Sequence, residues 1–227
     1  RHACRLIAND LICVELECDY RKAPEHKYPA AHNDTEDAVL YVLANEHAYD
    51  TTRISVGGSS AGGNMALSLS ARLGSERIKS CFALYPAAHL THPERLDTVM
   101  GCVSDKFRSG VVIPHWCMKL FINAYTTPGT DMNDPRLSPI FYDASKFPKY
   151  VAVACGDADT LYRMSFDLMK KISGSASGTN VDGSRKFICV LNEAHEFNTF
   201  GRTRASQEER DRVEGEAINM IRASWRQ

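Results

Sequence analysis

Short apolar runs alternate with longer amphipathic stretches along the 227-residue chain, and this alternation constrains the fold more than any other feature. Such a pattern is typical of parallel strands that are covered by helices on both faces. The sequence therefore predicts the α/β class, with a mostly parallel sheet flanked by helices. The five predicted strands cover residues 11–20, 53–58, 80–87, 149–157 and 185–194.

Periodic apolar residues predict the helices. The last helix carries Val213, Ala217, Ile221 and Trp225 along one face, and an earlier helix ends at Gly74, which suits a C-cap. The predicted helices cover residues 30–49, 64–74, 114–125, 160–172 and 207–225.

The size of the chain predicts one domain over residues 1–227, because 44% hydrophobic residues at this length can fill one substantial core. Residues 100–139 are too long for a simple crossover between strands. We expect the part at about 100–130 to be an insertion that acts as a lid or cap. Within it, Trp116, Phe121 and Tyr125 are candidate substrate-binding residues, and packing of these aromatic rings on the core is the alternative.

The net charge is -1, and no basic stripe or run of like charge is present. We therefore expect no nucleic acid partner and no anionic membrane surface as a partner. No apolar run approaches the ~18 residues of a membrane span, so no stable membrane insertion is expected. A small neutral or weakly charged molecule is the favoured ligand, and the sequence leaves a homodimer open.

The eight cysteines are scattered, and none lies in a CxxC pair or in a Cys/His cluster with zinc spacing. Several lie inside apolar runs, so most are expected to be buried small side chains. Unpaired cysteines favour a reducing, cytoplasmic location. No metal and no organic cofactor is indicated.

The segment ISVGGSSAGGN places a predicted strand directly before Gly58-Ser59-Ser60-Ala61-Gly62 and a predicted helix, as a nucleophile elbow requires. Side chains at Gly58 and Gly62 are expected to clash at the sharp turn. This register selects Ser60 as the nucleophile, whereas Ser59 points elsewhere and is a candidate substrate-binding residue. The helix start beyond Ser60 favours a nearby oxyanion. A purely structural turn is the alternative.

A serine hydroxyl is a poor nucleophile unless a base takes its proton and a carboxylate holds that base. Asp157 and Asp159 follow the fourth predicted strand, and His195 follows the fifth. Taken singly, Asp159 is a helix N-cap and His195 a loop histidine. Their order and positions together predict a catalytic triad of Ser60, Asp159 and His195. Asp157 is the alternative acid, and Glu193 is expected at the mouth of the pocket.

Five ordered motifs resemble the hormone-sensitive-lipase-like branch of the α/β-hydrolases, which are serine carboxylesterases of broad substrate range. They are YRKAPEHKYPAAHNDTEDA (20–38), GGSSAGGN (57–64), DPRLSP (134–139), GDADTL (156–161) and EAHEF (193–197). The resemblance covers essentially the whole chain and implies an α/β-hydrolase fold. It also implies that Ser60 is the nucleophile, that Asp159 orients His195, and that the Ala61 N–H donates to the oxyanion.

One part of the family pattern is missing from the sequence, the His-Gly-Gly-Gly loop whose N–H groups supply the other oxyanion donors. In the family's sheet, the strand before that loop lies between the equivalents of 11–20 and 53–58. We therefore expect an N-terminally truncated domain that lacks the first strands and this loop.

The sequence-based expectation for function is a serine carboxylesterase that hydrolyses short- to medium-chain esters through an acyl-serine. One alternative is a non-catalytic ligand-binding protein on the same scaffold, like the plant gibberellin receptor, which lacks the catalytic histidine. The other is an inactive fragment of a longer esterase. Retention of His195 favours the enzyme over the binding protein.

Overall fold

The computed structural model describes residues 2–226, and it confirms the α/β architecture. The described strands form one sheet in the order β1-β2-β3-β4, and every neighbouring pair is parallel. The strands are β1 (Ser55–Ser59), β2 (Ser80–Leu84), β3 (Tyr150–Gly156) and β4 (Arg185–Val190). The helices are α1 (His2–Leu11), α2 (Ala30–Ala44), α3 (Ala61–Arg77), α4 (His115–Tyr125), α5 (Tyr162–Ser173), α6 (Phe197–Phe200) and α7 (Arg204–Ser224).

Both faces of the sheet are buried, because successive side chains of a strand point to opposite faces. In β3, Val151 and Val153 belong to a core cluster with residues of α3 and α5. Ala152 and Ala154 belong to a second cluster, with residues of α7. A third cluster packs the long segment between β2 and β3 onto the start of α5. Helices therefore cover both sides of the sheet and leave its strand ends to the loops.

The strand predicted at 11–20 is wrong. Residues 13–22 form neither helix nor strand, and the side chains of Ile12, Val14 and Leu16 are exposed. An apolar run becomes a strand only where a neighbour pairs with its backbone. In the described sheet β1 is the edge, so this segment has no pairing partner. The start of the predicted strand instead ends α1, a helix that the sequence reasoning missed and that packs against α7.

The other four predicted strands and the five predicted helices are confirmed, with shifted ends. Val213, Ala217 and Ile221 are buried along α7 as expected. At Gly74 the backbone has φ 74°, and α3 kinks there before it continues to Arg77. The helical backbone is therefore interrupted at the predicted position, Gly74, and a short helical segment follows it.

Every cysteine in the described part of the chain is free, and only Cys81 and Cys155 are buried. The expectation that most cysteines are buried is therefore wrong, because Cys18 and Cys102 lie in exposed connecting segments outside the sheet. The residues between 2 and 226 contain no group of three His, Cys, Asp or Glu side chains that could hold a metal ion. None of the described helices is both long and apolar enough to cross a membrane.

A buried histidine connects α2 to α3. The His32 Nε2 lies 3.2 Å from the Asn64 Oδ1, and the Asn64 Nδ2 donates to the carbonyls of Ala87 and Leu137. That orientation makes the Asn64 Oδ1 an acceptor, so His32 donates from Nε2. Its Nδ1 then accepts from the Tyr125 hydroxyl at 2.8 Å, which needs a neutral ring. Burial, helped by the charge of Arg136, lowers the pKa of His32 to about 4.

We predict that the protein loses stability as the pH falls from 6.5, the usual His pKa, towards 4. In this window His32 binds a proton in the unfolded chain but stays neutral in the folded protein, so protonation favours unfolding. The shift corresponds to roughly 3 kcal/mol at the low end. Urea denaturation of the parent and of His32→Gln from pH 7 to 4.5 measures this, and the variant should show the flatter dependence. His47→Gln, at an exposed site, is the control, and equal slopes for parent and His32→Gln would contradict the prediction.

Candidate active site

The turn between β1 and α3 holds Ser60 in a strained backbone conformation. Ser60 has φ 53° and ψ −119° and is the N-cap residue of α3. A positive φ is costly for a residue with a side chain and persists only where its surroundings impose it. Here the Ser60 N–H donates to the Leu84 carbonyl at 2.9 Å, and the Ser60 carbonyl accepts from the Asn64 N–H at 3.0 Å. Hydrogen bonds on both sides therefore fix the turn.

The glycines of this turn have unequal roles. A Cβ at Gly58 would lie 2.5 Å from the backbone of Gly62, so the predicted clash is confirmed at Gly58. The same expectation is wrong at Gly62, because a Cβ built there meets nothing within 4 Å beyond the neighbouring backbone of its own helix. Gly63 is the second constrained position, since a Cβ there would lie 3.1 Å from the Gly58 carbonyl oxygen. The chain approaches itself closely at Gly58 and Gly63, while Gly62 faces open space.

Ser60, His195 and Asp159 form a continuous hydrogen-bond chain. The His195 Nε2 lies 3.0 Å from the Ser60 Oγ, and the His195 Nδ1 lies 2.7 Å from the Asp159 Oδ2. Asp159 is fully buried, His195 is nearly so, and Ser60 is half-buried. An ionised carboxylate only accepts, so His195 carries its proton on Nδ1 and offers Nε2 as the acceptor for the Ser60 hydroxyl.

The second oxygen of Asp159 is also held, because its Oδ1 accepts the Leu161 N–H at 2.8 Å. The alternative acid, Asp157, is used differently: its Oδ1 accepts the Asn192 N–H at 2.7 Å. Of the two aspartates that follow β3, Asp159 therefore hydrogen bonds His195, and Asp157 hydrogen bonds the backbone of the loop after β4.

Tyr85, which the sequence reasoning did not single out, packs on the histidine. Its ring centroid lies 4.5 Å from that of His195, and its hydroxyl donates to the Asn198 Oδ1 at 2.5 Å. The side chain is buried, which raises the pKa of its hydroxyl and keeps it neutral. The only sequence signal was its position directly after β2, at the same sheet edge as the other site residues.

Residues 101–113, which we call the strap, join the two loops that carry Asp159 and His195. At one end, the N–H groups of Val103 and Ser104 both donate to the Asp157 carbonyl. At the other end, the Val111 N–H donates to the His195 carbonyl at 2.7 Å and the Val111 carbonyl accepts the His195 N–H at 3.1 Å. These bonds hold the strap in place. Within the predicted insertion, α4 is therefore the remaining candidate for a lid. That role stays a prediction.

Gly110 makes the close approach of the strap possible. Its φ is 95°, and a Cβ there would lie 2.4 Å from the His195 carbonyl oxygen. Any side chain at this position would push the strap away from the loop after β4. The lone glycine in the sequence did not reveal this contact, because its partner lies far along the chain.

The candidate substrate-binding residues lie in different environments. Trp116 and Phe121 are exposed on α4, whereas Met118 and Ile122 of the same helix are buried. Tyr125 instead packs edge-on against Tyr28 and hydrogen bonds His32, which matches the packing alternative. Ser59 is exposed at the end of β1. Substrate contact by Ser59, Trp116, Phe121 and Tyr125 stays a prediction.

Ala61 is the first residue of α3, so its N–H belongs to the helical turn that has no intrahelical acceptor. Such a group is available to a negatively charged oxygen bound beside Ser60. Glu193, expected at the mouth of the pocket, is instead fully buried, and that expectation is wrong. Its carboxylate points to polar side chains of the strap and of α7.

Comparison with known proteins identifies the family. A family model described as alpha/beta hydrolase fold matches residues 1–198, so the chain belongs to this family, and the resemblance to the hormone-sensitive-lipase-like branch is confirmed. It is 31% identical to the carboxylic ester hydrolase LipN of Mycobacterium tuberculosis over 186 residues, which is 79% of this chain and 48% of LipN.

The ethyl acetate hydrolase of Pseudomonas putida is 25% identical over 170 residues, 70% of this chain and 50% of that protein. Among solved structures, the hyperthermophilic esterase of Pyrobaculum calidifontis matches with a TM-score of 0.76 and 27% identity, over 98% of this chain and 68% of that one. The chain thus spans about half the length of these two curated relatives.

A pair of glycine variants tests the geometry of the turn. Gly58→Ala should lower the free energy of unfolding by about 1–3 kcal/mol, because its Cβ must displace backbone atoms. Gly62→Ala should leave it unchanged or raise it by up to about 1 kcal/mol, because alanine favours the first turn of a helix. Chemical denaturation of both variants beside the parent gives the answer, and equal effects would argue against the turn described.

Proposed function

We propose that the protein is a serine carboxylesterase that hydrolyses esters with short or medium acyl groups. The observation that carries this proposal is the hydrogen-bond chain from the Ser60 Oγ through His195 to the buried Asp159. Membership of the α/β-hydrolase family supports it. The name of one relative, an ethyl acetate hydrolase, supports a short acyl group.

In the proposed reaction, the Ser60 Oγ attacks the ester carbonyl carbon while the His195 Nε2 takes the hydroxyl proton. Asp159 stabilises the imidazolium that forms, through the Nδ1–H that it already accepts. The imidazolium then gives its proton to the leaving alcohol, and an acyl-Ser60 remains. Water, activated by His195 in the same way, attacks the acyl group and releases the acid.

Stabilisation of the oxyanion contributes to the proposed rate. The resemblance assigns one donor to the N–H of Ala61, the first residue of α3. Loss of one oxyanion donor costs roughly 10²–10³ in turnover. We therefore propose that the rate depends on the start of α3 as well as on the serine and the histidine.

The test is hydrolysis of p-nitrophenyl butyrate by the purified 227-residue chain, beside Ser60→Ala and Asp157→Asn. Ser60→Ala should reduce the rate to background because no other group forms the acyl-enzyme. Asp157→Asn is the matched control, since its carboxylate bonds to a backbone N–H and not to His195. It should keep most of the activity.

Covalent labelling of Ser60 by a fluorophosphonate separates reactivity of the serine from turnover. Labelling of the parent, and none of Ser60→Ala, is the expected result. A folded parent that neither hydrolyses the ester nor reacts with the fluorophosphonate would overturn the proposal, and the binding protein would then be the better reading.

A further inference from the structure

Glu193 is a buried carboxylate that the proposed mechanism does not use. It lies two residues before His195, and its side chain has no exposed surface. It accepts hydrogen bonds from the Arg108 Nε at 3.1 Å, from the Ser206 Oγ at 2.8 Å and from the Ser109 Oγ. Its partners come from the strap and from the start of α7.

A carboxylate withdrawn from water is tolerated only when charged and polar donors replace its hydration. The donors around Glu193 must therefore stay where they are as long as the carboxylate is buried. Charge-assisted hydrogen bonds of this kind are short and directional, so they also fix the geometry of the groups that they join. Glu193 thus holds the strap and α7 at a set distance from the loop after β4.

The backbone of Glu193 reaches the other half of the site. Its carbonyl accepts the Ala158 N–H at 3.1 Å, one residue before Asp159. A Cβ at Gly156 would lie 2.0 Å from the same oxygen, so the two loops are in direct contact. On the other side, the Ala194 N–H donates to the Ser109 carbonyl at 2.9 Å. A shift of Glu193 would therefore move His195 relative to Asp159.

We propose that Glu193 is a positioning residue for the reaction at Ser60. Its buried carboxylate locks the strap against the loop after β4, and this keeps the His195 ring in line between Asp159 and Ser60. The inference rests on the proposed function. The geometry of the ring can, however, be measured without any turnover.

The activity arm compares Glu193→Gln with Glu193→Asp and Glu216→Gln. Glutamine keeps the size of the side chain but removes the negative charge that pairs with Arg108 and turns one acceptor into a donor. We expect kcat to fall about tenfold to hundredfold, with KM changed less than about twofold, because small misplacement of a catalytic group slows chemistry more than binding. Glu193→Asp, which keeps the charge, should retain more of the kcat. Glu216→Gln is the control, since that carboxylate on α7 pairs with Lys186 and should leave kcat unchanged.

The second arm follows the His195 Nδ1 proton by NMR. Held between His195 and Asp159, this proton should give a far-downfield signal in the parent that is missing from His195→Gln. In Glu193→Gln the signal should shift or broaden beyond detection at a temperature where the protein is folded, and in Glu216→Gln it should stay. If Glu193→Gln does not fold, Ser109→Ala takes its place with the same expected result.

The two arms separate the two proposals. A parent without esterase activity counts against the proposed function, while the NMR signal still decides the role of Glu193. An unchanged signal in the folded Glu193 variant overturns the positioning role, even if the melting temperature falls, because a purely structural role would affect stability alone. An altered signal with parental kcat overturns it as well.

Discussion

The parallel pairing of the four strands is the constraint on which the site depends. In a parallel sheet the carboxyl ends of all strands lie on the same side of the sheet, next to one another. Here the ladder continues past the strands: the Ser60 N–H donates to the Leu84 carbonyl, the Tyr85 N–H to Ala154, and the Asp157 N–H to Val190. Each loop therefore leaves the sheet from a position fixed by its neighbour. Ser60, Asp159 and His195 meet because their strands are held in register.

The register of the strands alone does not fix the orientation of the His195 ring. The strap provides further contacts that fix it. It bonds to the backbone of the loop that carries Asp159 and to the backbone of the loop that carries His195. The Tyr85 ring packs on the His195 ring, and Glu193 anchors the strap from within. The imidazole is thus confined by a hydrogen bond at each nitrogen, by an aromatic contact and by a loop whose own backbone is bound. Confinement of this kind is what lets a histidine act in one tautomer.

Most of the fold could be predicted from the sequence. The apolar residues of strands β1 to β4 and of helices α2 to α5 and α7 follow patterns that are typical of buried strands and of helices. The apolar run at 11–20 has the same local character and yet forms no strand. The local pattern of apolar residues indicates that a segment is suited to a strand, but a strand forms only when a neighbouring strand pairs with its backbone. The described sheet places none beside this segment. The helix α1, which packs against α7, was missed although its own sequence is amphipathic.

The sequence by itself determined the family to which the motifs belong, and it predicted Ser60 on a sharp strand-to-helix turn with an aspartate and a histidine at later strand ends. Only the tertiary structure decided which aspartate meets His195, that Gly58 and not Gly62 is sterically constrained, and that Glu193 is buried. The physical reason is distance along the chain. Motifs record contacts between near neighbours, whereas the Ser109–Glu193 and Tyr85–His195 contacts join residues that are close only after folding.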